Sequence, residues 1–280
     1  TFTGTLANIN AALNDLTYRG DANFNGLDTL NLNVSDLGNT GTGGAKTDSD
    51  TLNLTISAVD DAPVITVPGA KTVAEDTDLI ISGITVNDVD AGSGTLSVTL
   101  SATNGVLTLS TLTGLTFSVG DGTADGSMTF TGTLANIQAA LANLRYRGNQ
   151  DFSGADTVTL AIDDQGNTGA GGPLSDTKTI AVTVTPTNDA PVITIPVGAQ
   201  NGLEDLDLII GGISIADVDA GLNNIQVTLS VTNGVITLSS INGLTFTAGD
   251  GTNDRVLTFT GNVNDINTAL NNLTYRGNLN

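Results

Sequence analysis

The sequence predicts a mainly β protein of tandem β-sandwich repeats, each carrying one short α-helix, and three observations lead there. First, whole stretches recur: "TFTGTLANINAALNDLTYRG" (1–20) returns as "TFTGTLANIQAALANLRYRG" (129–148) and "TFTGNVNDINTALNNLTYRG" (258–277). Second, apolar residues alternate with Thr, Ser and Asn over many short segments, the period of a half-buried strand. Third, one segment per copy breaks that alternation. Leu134, Ile137, Leu141 and Leu144 step by helical intervals, as do Leu6, Ile9, Leu13, Leu16 and Val263, Ile266, Leu270, Leu273. That spacing predicts helices over 5–16, 133–144 and 262–273.

Other segments keep the same register. "DDAPVITVP" (60–68) returns as "NDAPVITIP" (188–196), and "SATNGVLTLS" (101–110) as "SVTNGVITLS" (230–239). If "DAPV" opens a unit, residues 1–60 are the C-terminal part of one repeat and 61–188 a complete repeat. Residues 189–280 are then the N-terminal part of a third. The chain reads as a segment of a longer array, or as one whose ends are completed by neighbours. Within the complete repeat, strands are expected at 63–67, 79–86, 95–103, 105–110, 113–119, 126–131, 156–163 and 177–186. Asn104-Gly105 and Asp121-Gly122 suit type I′ turns between strands. Some seven strands with one helix at a side or end fit an Ig-like sandwich.

Charge and composition narrow the function. The 29 acidic residues face only 8 basic ones, a formal net charge of −21. That balance disfavours nucleic acid and anionic membranes, which bind basic patches. No apolar run reaches the roughly 18 residues of a membrane span. With no cysteine and no histidine, the chain lacks disulfides, thiolate sites and the commonest general base. No enzyme is expected.

The acidic residues gather at the repeat boundaries. "NDVDAG" (87–92) and "ADVDAG" (216–221) each set two aspartates one residue apart, on one side of a strand. The first boundary collects Asp60, Asp61, Glu75, Asp76, Asp88 and Asp90. The second repeats it with Asn188, Asp189, Glu204, Asp205, Asp217 and Asp219. Lys and Arg are too few to neutralise these groups. Oxygen-only ligands suit Ca²⁺, which takes roughly 6–8 oxygens, rather than zinc or copper. The first boundary balances up to about three ions by charge. The second, with Asn188 in place of Asp60, is expected to hold fewer or hold them less tightly. Asp164, in "DQGNTG" like Asp36 in "DLGNTG", joins the candidate ligands, with turn formation as its other role. Asp28 and Asp156 are expected to cap strands or pair with Arg. No EF-hand is present, since the twelfth position from Asp88 is Thr99 where a Glu is required.

"VDDAPVI" and "TNDAPVI" resemble the linker of cadherins, where an acidic run precedes Ala-Pro and supplies calcium ligands between successive domains. The resemblance implies that Asp88/Asp90 and Asp217/Asp219 are the family's Asp-x-Asp pair, and Glu75 and Glu204 its early glutamate. The whole unit, with "EDTD", "DVDAG", "NQDFSGADTVTLAIDDQGNTG" and a terminal "TNDAPV", is closer to the cadherin-like repeats of giant bacterial RTX-type surface adhesins. Those are secreted, calcium-rigidified stalks that project a binding tip. The helix is foreign to animal cadherins and the third linker Asp/Asn is missing, so animal-type homophilic adhesion does not carry over.

The resulting expectation is an extracellular or cell-surface spacer for adhesion or biofilm, rigidified by calcium. Its expected partners are neighbouring repeats and other copies of itself, and the tip ligand lies outside this segment. The alternative is a filament subunit assembled head to tail. Tyr18, Tyr146 and Tyr275 are read as corner residues whose hydroxyls bond to backbone, with the following Arg pairing a carboxylate of its own unit. Arg19-Gly20-Asp21 spells an integrin-type tripeptide that the sibling copies lack.

Overall fold

The computed structural model describes residues 1–278, and the chain divides into two compact units, 1–186 and 187 onward. The first thus joins the partial repeat to the complete one. It opens with helix α1 (Leu6–Leu13) and a hairpin of β1 (Gly26–Ser35) and β2 (Thr47–Ile56). The hairpin pairs from Gly26↔Ile56 to Ser35↔Thr47 and forms a two-stranded sheet of its own.

The complete repeat follows. It comprises β3 (Val64–Thr66), β4 (Lys71–Ala74), β5 (Asp78–Ser82), β6 (Thr85–Asn87), β7 (Thr95–Ala102), β8 (Gly105–Thr108), β9 (Thr116–Val119) and β10 (Ser127–Thr133). Then come α2 (Leu134–Leu141), β11 (Asn143–Gly148), β12 (Gly154–Asp163) and β13 (Ser175–Thr185). One sheet runs β4-β13-β12-β7-β10-β9; facing it are β5-β11-β8 and the pair β3-β6. All pairings are antiparallel except β4 with β13. Alternation decides what lies inside: Val158, Leu160 and Ile162 of β12 and Leu96, Val98 and Leu100 of β7 are all at most 1% exposed. Each such side chain contributes about 1.5–3 kcal/mol of burial. Helix α2 closes the core with Ile137, Ala140 and Leu141, and Thr133 caps it by accepting from the Asn136 amide.

Several sequence expectations need correction. The helices are shorter than predicted: Leu144 and Leu273, the last residues of the helical spacing, lie on strands. The core still takes Leu144, now opposite Ile81 of β5, because an extended residue just past a helix end can reach the same side. The single strand expected at 79–86 breaks at Gly83, whose φ of +88° redirects the chain from β5 to β6. Neither proposed turn is type I′, since neither Asn104 nor Asp121 has positive φ. Gly105 instead begins β8 where a Cβ would lie 2.5 Å from the Tyr146 ring. Strands β4 and β11 were not anticipated.

Asp156 is not paired with Arg. Buried at 4% exposure, it accepts from the Tyr146 hydroxyl at 2.7 Å and from the amides of Thr103, Asn104 and Thr157. Burial first, and then this carboxylate, push the Tyr146 hydroxyl well above its ordinary pKa. Asp28 likewise takes the Tyr18 hydroxyl at 2.6 Å; only Tyr275 bonds to backbone, at the Asn233 carbonyl. Arg145 and Arg147 both reach Asp78, and Arg276 reaches Asp207.

The second unit comprises β14 (Val192–Thr194), β15 (Asp207–Ile210), β16 (Ser214–Ala216), β17 (Asn224–Ser230), β18 (Gly234–Thr237), β19 (Thr245–Ala248), β20 (Val256–Asn262), α3 (Val263–Leu270) and β21 (Leu273–Gly277). Its sheets are β17-β20-β19, β15-β21-β18 and β14-β16. These copy β3 and β5–β11, with Leu257, Phe259, Ile266 and Leu270 at the centre of the core.

Candidate metal centre

The first acidic boundary lies within the first unit, where the chain passes from β2 into β3. The linker there is held by the loop that joins β12 to β13. Val59 bridges to Ala170 in parallel, with Asp60 N–H donating to the Ala170 carbonyl at 3.2 Å and Ala170 N–H to the Ala58 carbonyl at 3.1 Å. Gly169, at φ +105°, lets the two backbones meet: a Cβ there would lie 2.5 Å from the Asp60 nitrogen.

The loop is shaped by Asp164, whose Oδ1 accepts from the amides of Gly166 at 2.8 Å and Leu174 at 2.9 Å. On the other side, the "DVD" turn arranges itself through its own carboxylates. Asp88 Oδ1 accepts from the amides of Asp90 and Ala91, and Asp90 Oδ2 accepts from the Asp61 amide at 3.0 Å. One oxygen of each of these carboxylates is therefore spent on backbone.

The second oxygens are what matter. Asp60, Asp88 and Asp164 are 6%, 9% and 2% exposed, and the Oδ2 of each is buried with no hydrogen-bond partner. Three buried, orphaned carboxylate oxygens of one charge sign are costly unless a cation meets them. Without one, burial raises the Asp60 pKa, and the charges of Asp164 and Asp90 add to it. Burial likewise raises that of Asp88, with the neighbouring Asp90 carboxylate next in effect. This donor set suits a hard divalent ion. No three of the five carboxylates bring oxygens within 4.8 Å of one another. Each ion would thus draw on at most two of them, with carbonyls and water completing the shell.

The structure divides the residues that the sequence put together. Asp60, Asp61, Asp88 and Asp90 gather with Asp164. Glu75 and Asp76 do not join them: the Glu75 amide donates to the Thr185 carbonyl and Asp76 accepts from the Asp151 amide. Thr185 ends β13, while Asp163, the neighbour of Asp164, pairs with Ser175 at its start. The 11 residues of β13 thus separate the two groups by about 35 Å. Nearness in sequence misled because the chain runs from Ile65, bonded to Asp176 near the start of β13, to β4, paired with its end, before Glu75 is reached.

In the second unit the "DVD" turn is built alike. Asp217 Oδ1 accepts from the amides of Asp219 and Ala220, and Asp219 Oδ2 from the Asp189 amide. Asn188 turns its side-chain amide to the Asp189 carbonyl. Glu204 and Asp205 lie just before β15, where the Asp205 carbonyl accepts from Arg276. Gly169 and Ala170, which clamp the linker, were missed in the sequence. The glycine pattern shared by "GNTGAGG" and "GNTGTGG" was the available signal.

Residues 80–170, about a third of the chain, match the family model described as Protein GAMETE EXPRESSED 2 domain. No curated protein matches significantly. Among solved structures, a fragment of mouse cadherin-23 (EC22-24) is similar at 16% identity and a TM-score of 0.32, over 84% of this chain and 64% of that one. The protocadherin fragment PcdhgB3 EC1-4 is similar at 16% identity and 0.30, over 91% of this chain and 49% of that one. Domains 1-6 of the surface layer protein SbsC give 15% and 0.21, over 83% and 28%. The chain thus spans less than two thirds of each of these. Among the described residues, no helix is long and apolar enough to cross a membrane.

Proposed function

We propose that this chain is a calcium-rigidified spacer from a large secreted bacterial surface protein, serving adhesion or biofilm by projecting a binding tip. The observation that carries the reading is the set of buried, unpartnered oxygens of Asp60, Asp88 and Asp164 around the linker. Asp60, Asp88, Asp90 and Asp164 would hold the ions, with Asp61 alongside. When bound, calcium supplies the positive charge that this cluster lacks.

The chain's own residues do the rest. Gly169 and Ala170 grip the linker backbone, Asp164 shapes the loop, and the "DVD" turn closes the opposite wall. Neutralising the cluster favours a fixed linker over a flexing one. At a hundredfold excess over Kd, one such site adds about 2.7 kcal/mol to the folded state. Extracellular modules of this kind bind at roughly 10⁻⁴–10⁻³ M.

Calcium titration by calorimetry, paired with hydrogen exchange at the Asp60 and Asp61 amides, tests the reading. Saturable binding that slows exchange at both amides is expected. A chain that binds no calcium, or binds it with no effect at those amides, would refute it.

A further inference from the structure

In the second unit, helix α3 and the turn between β15 and β16 border an open cleft of about 440 Å³, lined by Gly212, Ile213, Ser214, Asn267, Thr268 and Asn271. Small-ligand sites run from roughly 300 to 1,000 Å³, so the cleft is of that order. No charged residue lines it, in a chain whose net charge is −21.

The complete repeat shows what is different here. Its residues at the same places, 129 positions earlier, are Gly83, Ile84, Thr85, Gln138, Ala139 and Ala142. Gln138 ties two residues of backbone together. Its Nε2 donates to the Ile84 carbonyl at 3.1 Å, and its Oε1 accepts from the Val86 amide at 2.9 Å. Asn267 is one methylene shorter and makes both bonds to Ile215, each at 2.8 Å. The Ile213 carbonyl thus lacks the donor that Ile84 has. Ala139 and Ala142 are replaced by Thr268 and Asn271, which adds a hydroxyl and an amide beside it. Gly83, Thr85, Ala139 and Ala142 are exposed in the complete repeat, where β12 and β13 are both in place, so neither strand covers this side of the fold.

Several polar groups at the cleft are unspent. Among the described residues, the Asn271 side-chain amide and the Ser214 hydroxyl make no hydrogen bond. The Thr268 hydroxyl donates to the Asn264 carbonyl at 2.8 Å and keeps its acceptor capacity. Donors and acceptors therefore stand side by side with no ionic group among them. An anion finds no cation here and a chain that repels it, and a metal ion finds no carboxylate. Hydroxyls, which donate and accept at once, can pair with every one of these atoms.

We propose that this cleft binds one sugar residue of a neutral saccharide. The site belongs to the second unit alone and is independent of the calcium reading. No aromatic ring lines it, so the hydrogen bonds carry the affinity and a free monosaccharide binds in the millimolar range.

Two-dimensional NMR of the nitrogen-labelled 280-residue chain tests this, with the methyl glycosides of glucose, galactose, mannose and N-acetylglucosamine as probes. At least one should give saturable shifts at the Ser214, Thr268 and Asn271 amides, in calcium and in chelator alike. Glucuronate should bind less tightly than that glycoside. The triple variant N267Q/T268A/N271A carries the residues with which the complete repeat folds, and should lose the response while its remaining amide shifts stay in place. The proposal is overturned if none of the glycosides gives a saturable shift, or if the shifts map elsewhere. An undiminished response in the triple variant, tighter binding of glucuronate, or an equal response to N-methylacetamide overturns it as well.

Discussion

Replacing Asp164 with Asn isolates the charge at the linker from the shape of the loop. The Asn oxygen can keep both bonds that Asp164 Oδ1 accepts, from the Gly166 and Leu174 amides. The amide nitrogen then takes the place of Oδ2, the buried atom with no partner. Without calcium, the variant should be at least as stable as the wild type, because one of the charges raising the Asp60 pKa is gone. With calcium, it loses a charged ligand. If that weakens binding about a hundredfold, calcium at a hundred times the wild-type Kd only half-fills the variant site. The stabilisation then falls from about 2.7 to about 0.4 kcal/mol. For a unit of this size, the lost 2.3 kcal/mol or so corresponds to roughly 5–9 °C in Tm. Thermal melts of wild type and D164N in chelator and in calcium measure this directly. The two curves should cross over between conditions. An equal loss in both would mean that Asp164 serves only as a hydrogen-bond acceptor for the loop, and the charge argument would fail.

The raised pKa values of Asp60 and Asp88 predict opposite effects of acid on the free and bound protein. A raised folded-state pKa means the folded state holds its proton more tightly. Stability from these two groups is therefore full below the ordinary carboxylate range and is lost as pH rises through the raised values. Calcium-free protein should gain stability from these groups on mild acidification while calcium affinity falls over the same window, as melts and titrations at stepped pH would record. G169A should loosen the linker through its clash with the Asp60 nitrogen, whereas G41A, at φ +94° with nothing within 4 Å, carries backbone strain alone. Hydrogen exchange at Asp60 should be faster in G169A and unchanged in G41A. Y146F removes a hydroxyl from a buried carboxylate that keeps its backbone donors, and should cost about 1.5–3 kcal/mol by denaturant titration. A cost near zero would show that the amides alone satisfy Asp156.

Much of the fold was legible because three copies of one pattern lay side by side. Polar residues between Leu134 and Leu141 change among copies while the apolar spacing persists, and that separated helix from strand. Legibility ended where a single residue changed direction. Gly83 split one predicted strand into two, and Leu144 satisfied helical spacing while sitting in β11. In the acidic cluster, the twin aspartates of "DVD" could be read directly, and the resemblance to cadherin linkers supplied their role. What could not be read was that the chain from β3 through β4 carries Glu75 to the far end of the repeat. Nor could the sequence show that Ala170, an unremarkable residue in a glycine-rich loop, would receive the linker. Both facts depend on which strands lie side by side across more than a hundred residues of chain.

The β12–β13 loop has a twin at 36–46, where Asp36 Oδ1 accepts from the Gly38 and Lys46 amides as Asp164 does from Gly166 and Leu174. At Gly169 one loop meets the linker backbone, whereas a Cβ at Gly41 in the other would meet nothing within 4 Å. The same pair of amide bonds holds both loops, so the shape comes from each loop's own aspartate and backbone. A receiving surface made in advance leaves only the short incoming segment to be ordered. It also makes every joint a standard fitting. Whole repeats can then be duplicated or lost without redesigning any joint, while a deletion that is not a full period would sever a loop from the linker it receives. Length in such an array is free to vary, but only in steps of one repeat.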